Sequence, residues 1–124
     1  MSKLKNLIEK ARRYYFEEWR GNEKICPAFN EKVFVTRVGW DHIVHHPRRI
    51  LADKLIRLKR LSVAREILET ATTYQSVEKR GKYFLYELSA VKKGVVTKVI
   101  VSSKGQKGKK IFFSVMFKRK KKIK

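Results

Sequence analysis

Apolar side chains recur at helical spacing near the start of the chain. Leu4, Leu7, Ile8, Ala11, Tyr15 and Trp19 predict an amphipathic helix over residues 3–19, stopped by Gly21 and Asn22. Residues 25–31, with Pro27, read as a loop, and residues 33–36 as a short strand or extended entry. Gly39 to His45 predicts a short helix. His46 precedes Pro47, which disfavours helical backbone at His46 and suits Pro47 to open the next helix. That helix is expected to reach Ala71 on a stripe of Leu51, Leu55, Leu58, Ala64, Leu68 and Ala71, with a bend near Leu61 and Ser62 as a cap for its second part.

Beyond Ala71 the pattern changes to β-branched and aromatic runs. Residues 83–90, 95–102 and 110–118 predict strands, and residues 72–77 a fourth. Lys92-Lys93-Gly94 predicts a tight turn, and residues 103–109 a longer basic loop. Each strand has one nearly pure apolar side: Phe84/Tyr86/Leu88, Val95/Val99/Val101 and Ile111/Phe113/Val115/Phe117. The other side is mixed: Tyr83/Leu85/Glu87/Ser89, Val96/Lys98/Ile100/Ser102 and Phe112/Ser114/Met116/Lys118. The expectation is one α+β domain over residues 1–124, with N-terminal helices packed on a curved, mainly antiparallel sheet of about four strands. Residues 1–32 would be a helical extension, 33–118 the core and 119–124 a basic tail.

Charge narrows the partners. The chain has 124 residues and a net charge of +21, with 32 Lys and Arg against 11 Asp and Glu. The excess is concentrated late: sixteen basic side chains stand against two acids from Gln75 onward, and sixteen against nine before it. Nucleic acid is the first partner class this implies, an acidic protein the second and an anionic membrane surface the third. A mixed sheet face suits RNA, since rings stack bases and lysines hold phosphates; an ordinary half-buried second face is the plainer reading. Cys26 is the only cysteine, so no disulfide closes within the chain, and a reducing compartment is expected. No apolar run approaches the ~20 residues that span a bilayer. A soluble, cytoplasmic protein is the expectation.

All three histidines, His42, His45 and His46, fall within five positions and lean to one side while the helix lasts. Three readings compete. A histidine beside Trp40 and Ile43 can serve a buried hydrogen bond in the core. His42 and His46 have ligand spacing for a metal, with Cys26 as a further ligand, although zinc usually takes three or four protein ligands. The third reading is acid–base cleavage of RNA, in which the ribose 2′-hydroxyl attacks its own phosphate. A base takes the 2′ proton, an acid protonates the leaving 5′-oxygen, and cations hold the phosphoryl oxygens. The substrate supplies the nucleophile, so no cofactor is needed. His42, His46, Arg49, Lys98 and Ser114 are the residues to do it. A pair with one protonated and one neutral member predicts a bell-shaped rate–pH profile. Glu87, one of two acids in the basic half, is either a base or the partner of a nearby lysine.

The segment Val35-Thr36-Arg37-Val38-Gly39-Trp40-Asp41-His42-Ile43-Val44-His45-His46-Pro47 resembles the His-Ile…His-Pro segment of phage and bacterial nucleases in the Barnase–EndoU–colicin–RelE-like (BECR) superfamily. Tyr83-Phe84, Val99-Ile100-Val101 and the last strand Ile111-Phe112-Phe113-Ser114-Val115 follow in the matching order, so the resemblance covers roughly residues 33–120. It implies a metal-independent endoribonuclease, often a toxin, with His42 and His46 at the two motif positions and Ser114 as the hydroxyl of the last strand. Lys98 and Arg119 would be the basic groups. Where relatives commonly carry an acid after His-Pro, this chain has Arg48-Arg49. RNA contacts are expected from Arg48, Lys82, Tyr83, Lys104, Lys107, Lys118 and Arg119, with Lys109 and Lys110 adding to the basic loop. An acidic antitoxin or immunity protein would cover the basic face. A non-catalytic RNA- or ribosome-binding module explains the charge equally well and leaves the histidines without a special role.

Overall fold

The computed structural model describes residues 2–47, 50–92 and 94–119. Among these, four α-helices and a six-stranded mixed sheet form an α+β fold. The helices are α1 (Ser2–Arg13), α2 (Arg37–Val44), α3 (Leu51–Lys59) and α4 (Leu61–Thr70). The strands are β1 (Ile25–Cys26), β2 (Glu31–Phe34), β3 (Ser76–Arg80), β4 (Tyr83–Lys92), β5 (Val95–Lys104) and β6 (Lys110–Arg119). They lie in the order β1-β2-β6-β5-β4-β3.

The expected count of about four strands is therefore corrected to six, while the mainly antiparallel character holds, with one parallel pair. β1 forms within the supposed loop at 25–31 and pairs antiparallel with β2, while β2 runs parallel to β6 through Val33 opposite Lys110 and Phe34 opposite Ile111. A two-residue strand and a four-residue strand are too short to show an alternation pattern, so their pairing is visible only in the fold. β3 begins at Ser76 rather than Thr72 and lies exposed at the sheet edge. The β4–β5 hairpin closes with Lys92 opposite Val95, and Gly94 takes φ +77° in its turn, a backbone that glycine adopts without a Cβ clash.

The first helix keeps its inward stripe to Trp19 by changing pitch. Tyr14–Trp19 is a π-helical segment, closed by Arg20 N–H donating to the Tyr15 carbonyl at 3.0 Å. Tyr15 and Trp19 are both buried there. The expected long helix from Pro47 to Ala71 is two helices. Ile50 is extended (φ −73°, ψ 158°), so helix starts at Leu51 and Pro47 lies in a turn before it. The break falls at Arg60 (φ −97°, ψ 6°), which takes the cap position assigned to Ser62. That break turns Leu58 and Leu61 both inward.

The helices cover one sheet face. Leu88, Val99, Val101, Phe112 and Val115 are fully buried beneath them with Ala64, Ile67 and Leu68 of α4. α2 lies close against β6 because Gly39 has no side chain. A Cβ there would stand 2.6 Å from Tyr15 Oη and 2.7 Å from the Phe112 carbonyl oxygen.

Candidate active site

Two local events aim side chains at the opposite, open face of the sheet. The first is a bulge in β6. Val99 pairs with Val115 and Ile100 with Ser114, but Val101 pairs with Phe112, leaving Phe113 as the extra residue. The strict alternation read from sequence fails here. Phe112, expected on the mixed side, is fully buried with its ring 5.0 Å from that of Trp19. Phe113, expected in the core, turns to the open face. There the ring of His42 stands 4.1 Å from it.

The second event is the ending of α2. Thr36 Oγ1 accepts from Val38 N–H at 3.2 Å and starts the helix. Trp40 and Ile43 are buried, which leaves His42 on the flank facing Phe113. The helix stops before His46, as the following proline requires, and the rings of His42 and His46 meet edge to face at 5.4 Å. His45 does not join them: it is exposed, with Nε2 3.8 Å from Asp41 Oδ1.

A cavity of about 290 Å³ lies over this face. His42, Arg57, Glu78, Glu87 and Ser114 line it, above an apolar floor that includes Leu85, Ile100, Phe113 and Met116. Arg57 was missed in the sequence. Its Nη1 donates to Ser114 Oγ at 3.1 Å and to the Val115 carbonyl at 2.9 Å, and its Nε donates to Asp53 Oδ2 at 3.1 Å. The Asp53/Arg57 spacing of four was a legible signal of an ion pair on one helix face, but not of what the guanidinium would touch. Of the two sequence readings of Glu87, the structure shows the lysine partner: its Oε2 stands 3.7 Å from Lys98 Nζ, and the side chain also lines the cavity. Lys98, expected at the scissile phosphate, does not itself line the cavity and is held beside it by that carboxylate. Glu78, the other acid there, accepts from Arg80 Nε at 3.0 Å.

The cavity thus joins an imidazole and a carboxylate, each able to move a proton, to a guanidinium suited to phosphoryl oxygens. Ser114 and Arg57 are already bonded to each other, so a bound oxyanion would meet them as one unit.

Of the expected RNA contacts, Lys82, Tyr83, Lys104 and Lys107 are all exposed at one end of the sheet, where Tyr83 pairs with Lys104 and Gly105 N–H donates to the Lys82 carbonyl. Lys118 is exposed at the other end, opposite Val96. Arg48, Arg49 and the side chain of Arg119 lie outside the described residues. Lys110 opens β6, as the strand reading expected, but not as an exposed loop lysine: it is 4% exposed, and its Nζ bonds Glu31 and the carbonyls of Gln106 and Gly108. Cys26 is buried, and burial pushes its thiol pKa up, away from the thiolate a metal would need. Among the described residues no three His, Cys, Asp or Glu side chains gather as a metal site, and no helix is long and apolar enough to cross a membrane.

Compared with family models, curated proteins and solved structures, the chain gives no match.

Proposed function

We propose that this protein is a metal-independent endoribonuclease of BECR type, acting as a toxin on cytoplasmic RNA. One observation carries the reading: His42, Arg57, Glu87 and Ser114, from α2, α3, β4 and β6, converge on one cavity of the open sheet face. The ribose 2′-hydroxyl attacks its own phosphate and supplies the nucleophile. His42 shares the proton transfers with His46, which is in ring contact with it, or with Glu87. Each such group is worth roughly 10²–10⁴-fold in rate. Arg57 and Ser114 take the phosphoryl oxygens, the part first assigned to Lys98 and Arg49. The basic, aromatic sheet end around Tyr83 and Lys104 holds the RNA backbone, and an acidic antitoxin or immunity protein covers that surface when the toxin is restrained.

The test is incubation of a mixed tRNA and structured-RNA pool in EDTA with wild type, His42→Ala and His46→Ala. Discrete fragments ending in 2′,3′-cyclic phosphate, lost in His42→Ala, are the expected result. Intact RNA, bound equally by all three proteins in a salt-dependent way, would replace the nuclease by a non-catalytic RNA-binding module.

A further inference from the structure

A second cavity, of about 460 Å³, opens on the far side of β6 from the first. Its lining includes Arg20, Glu23, Lys32, Phe34, Lys109 and Ile111. Pairing places it on the same sheet face as the His42 cavity. Phe34 pairs with Ile111, Ile111 with Ser102, and Ser102 with Leu85, which lines the first cavity. Directly paired residues share a face, so one cross-strand row joins the two cavities. Phe34 and Leu85 are three strand spacings apart, about 14 Å.

The chemistry of this second cavity is that of a nucleotide. Phe34 is half-buried, and Lys109 Nζ stands 5.5 Å from its ring centroid, a cation–π contact that fixes the ring beside a positive charge. Arg20, Lys32 and Lys109 are exposed. The acid there, Glu23, is committed to the backbone: Oε1 accepts from Gly21 N–H at 3.0 Å and Oε2 from Val35 N–H at 2.8 Å. A partly exposed ring with Lys109 over one of its faces, and three exposed cations, match the two kinds of contact that hold single-stranded nucleic acid.

We infer that Phe34, Lys32, Lys109 and Arg20 form a second nucleotide subsite, which binds a base of single-stranded RNA away from the bond that is cut. The inference rests on the His42 cavity being an RNA site. It names the substrate class, because a base inside a duplex is stacked on its neighbours and cannot lie on Phe34.

Anisotropy with a short fluorescein-labelled single-stranded RNA, and with its duplex, tests this in a His42→Ala background that prevents cutting. Phe34→Leu is expected to weaken single-strand binding roughly fivefold to hundredfold, the range for one lost base–aromatic stack, and to leave duplex binding unchanged. Lys32→Glu, at an exposed side chain of β2, is expected to weaken single-strand binding as well. An iodouridine-substituted RNA should photocross-link to Phe34. Wild-type affinity in both variants, or a cross-link confined to other residues, would overturn the subsite. If the otherwise wild-type protein cross-links at Phe34 yet cuts no RNA, the subsite stands and the nuclease reading fails. If it cuts RNA while Phe34→Leu and Lys32→Glu change nothing, the nuclease reading stands and the subsite fails.

Discussion

Arg57 Nη1 lies 3.1 Å from Ser114 Oγ, tying α3 to the strand residue next to the β6 bulge. The same nitrogen bonds the Val115 carbonyl, and the Arg57 side chain is only 13% exposed. Lysine cannot reproduce the full set, because Nε holds Asp53 while Nη1 reaches Ser114 and Val115, and a single ammonium nitrogen cannot occupy both places. Arg57→Lys is expected to lower RNA cleavage roughly 10²–10³-fold, the cost of losing an oriented donor at a developing charge. It should also cost about 1–3 kcal/mol of stability by stranding its partners. Cleavage rates beside urea unfolding curves separate the two effects; a destabilised but fully active variant would make Arg57 a purely structural tie.

Glu87 and Lys98 test which half of their pair belongs to the chemistry. Glu87→Gln keeps the shape and removes the proton acceptor, so turnover should fall roughly 10²–10⁴-fold if the carboxylate is the base. Lys98→Met leaves the carboxylate in place. It should cost less than about tenfold, because a partly exposed ion pair is worth ~1 kcal/mol or less. Single-turnover cleavage by both variants decides; equal losses would return Lys98 to the phosphate.

The residues legible in the sequence were those whose placement depends on local spacing. His42 and His46 stood out by their motif. Ser114 stood out by the resemblance and Glu87 as a rare acid; alternation put both on the mixed face, and it holds along β4 and along β6 after the bulge. Arg57 was not legible, because its value comes from where α3 crosses β6, a tertiary fact. Phe112 and Phe113 were exchanged, and Ile111 with them, because the extra residue reverses the faces read for the start of β6 relative to those after it, and no composition signal marks a bulge between two phenylalanines. Lys110 misled for a related reason: a lysine beside a glycine-rich loop reads as solvent-facing, and only the return of the chain brings Glu31 to its ammonium.

The buried phenol of Tyr15 predicts an alkaline weakness. Its Oη donates to the Thr36 carbonyl at 2.5 Å, and burial raises its pKa from the ordinary 10.0. The folded state therefore keeps the proton at a pH where the unfolded chain has begun to lose it. The stability contribution is fully present below pH 10.0 and falls as pH rises above it toward the folded value. Tyr15→Phe should lower stability at neutral pH by about 1 kcal/mol, for one lost hydrogen bond, and flatten the decline above pH 10.0 relative to wild type. Thermal melts of both proteins across the alkaline range measure this. Lysine titration is common to the two and cancels, so parallel curves would show that Tyr15 does not govern the slope.

The salt dependence of RNA binding distinguishes lysines that touch phosphate from lysines that hold the fold. Each phosphate neutralised on a single strand adds about 0.7 to the log–log slope of affinity against salt. Lys82, Lys104 and Lys107 are exposed around Tyr83, and removing any one costs little packing. Lys104→Ala should therefore lower the slope by about 0.7 and leave thermal stability within about 0.5 kcal/mol of wild type. Lys110→Ala should do the reverse. Its ammonium is buried between Glu31 and two loop carbonyls, 5.7 Å from the ring centroid of Phe29, so its loss opens the end of β6 and strands Glu31. The slope should stay at the wild-type value while stability falls by about 1–3 kcal/mol. If Lys110→Ala changed the slope and Lys104→Ala did not, the RNA path would run along the β2 side of the sheet and away from Tyr83.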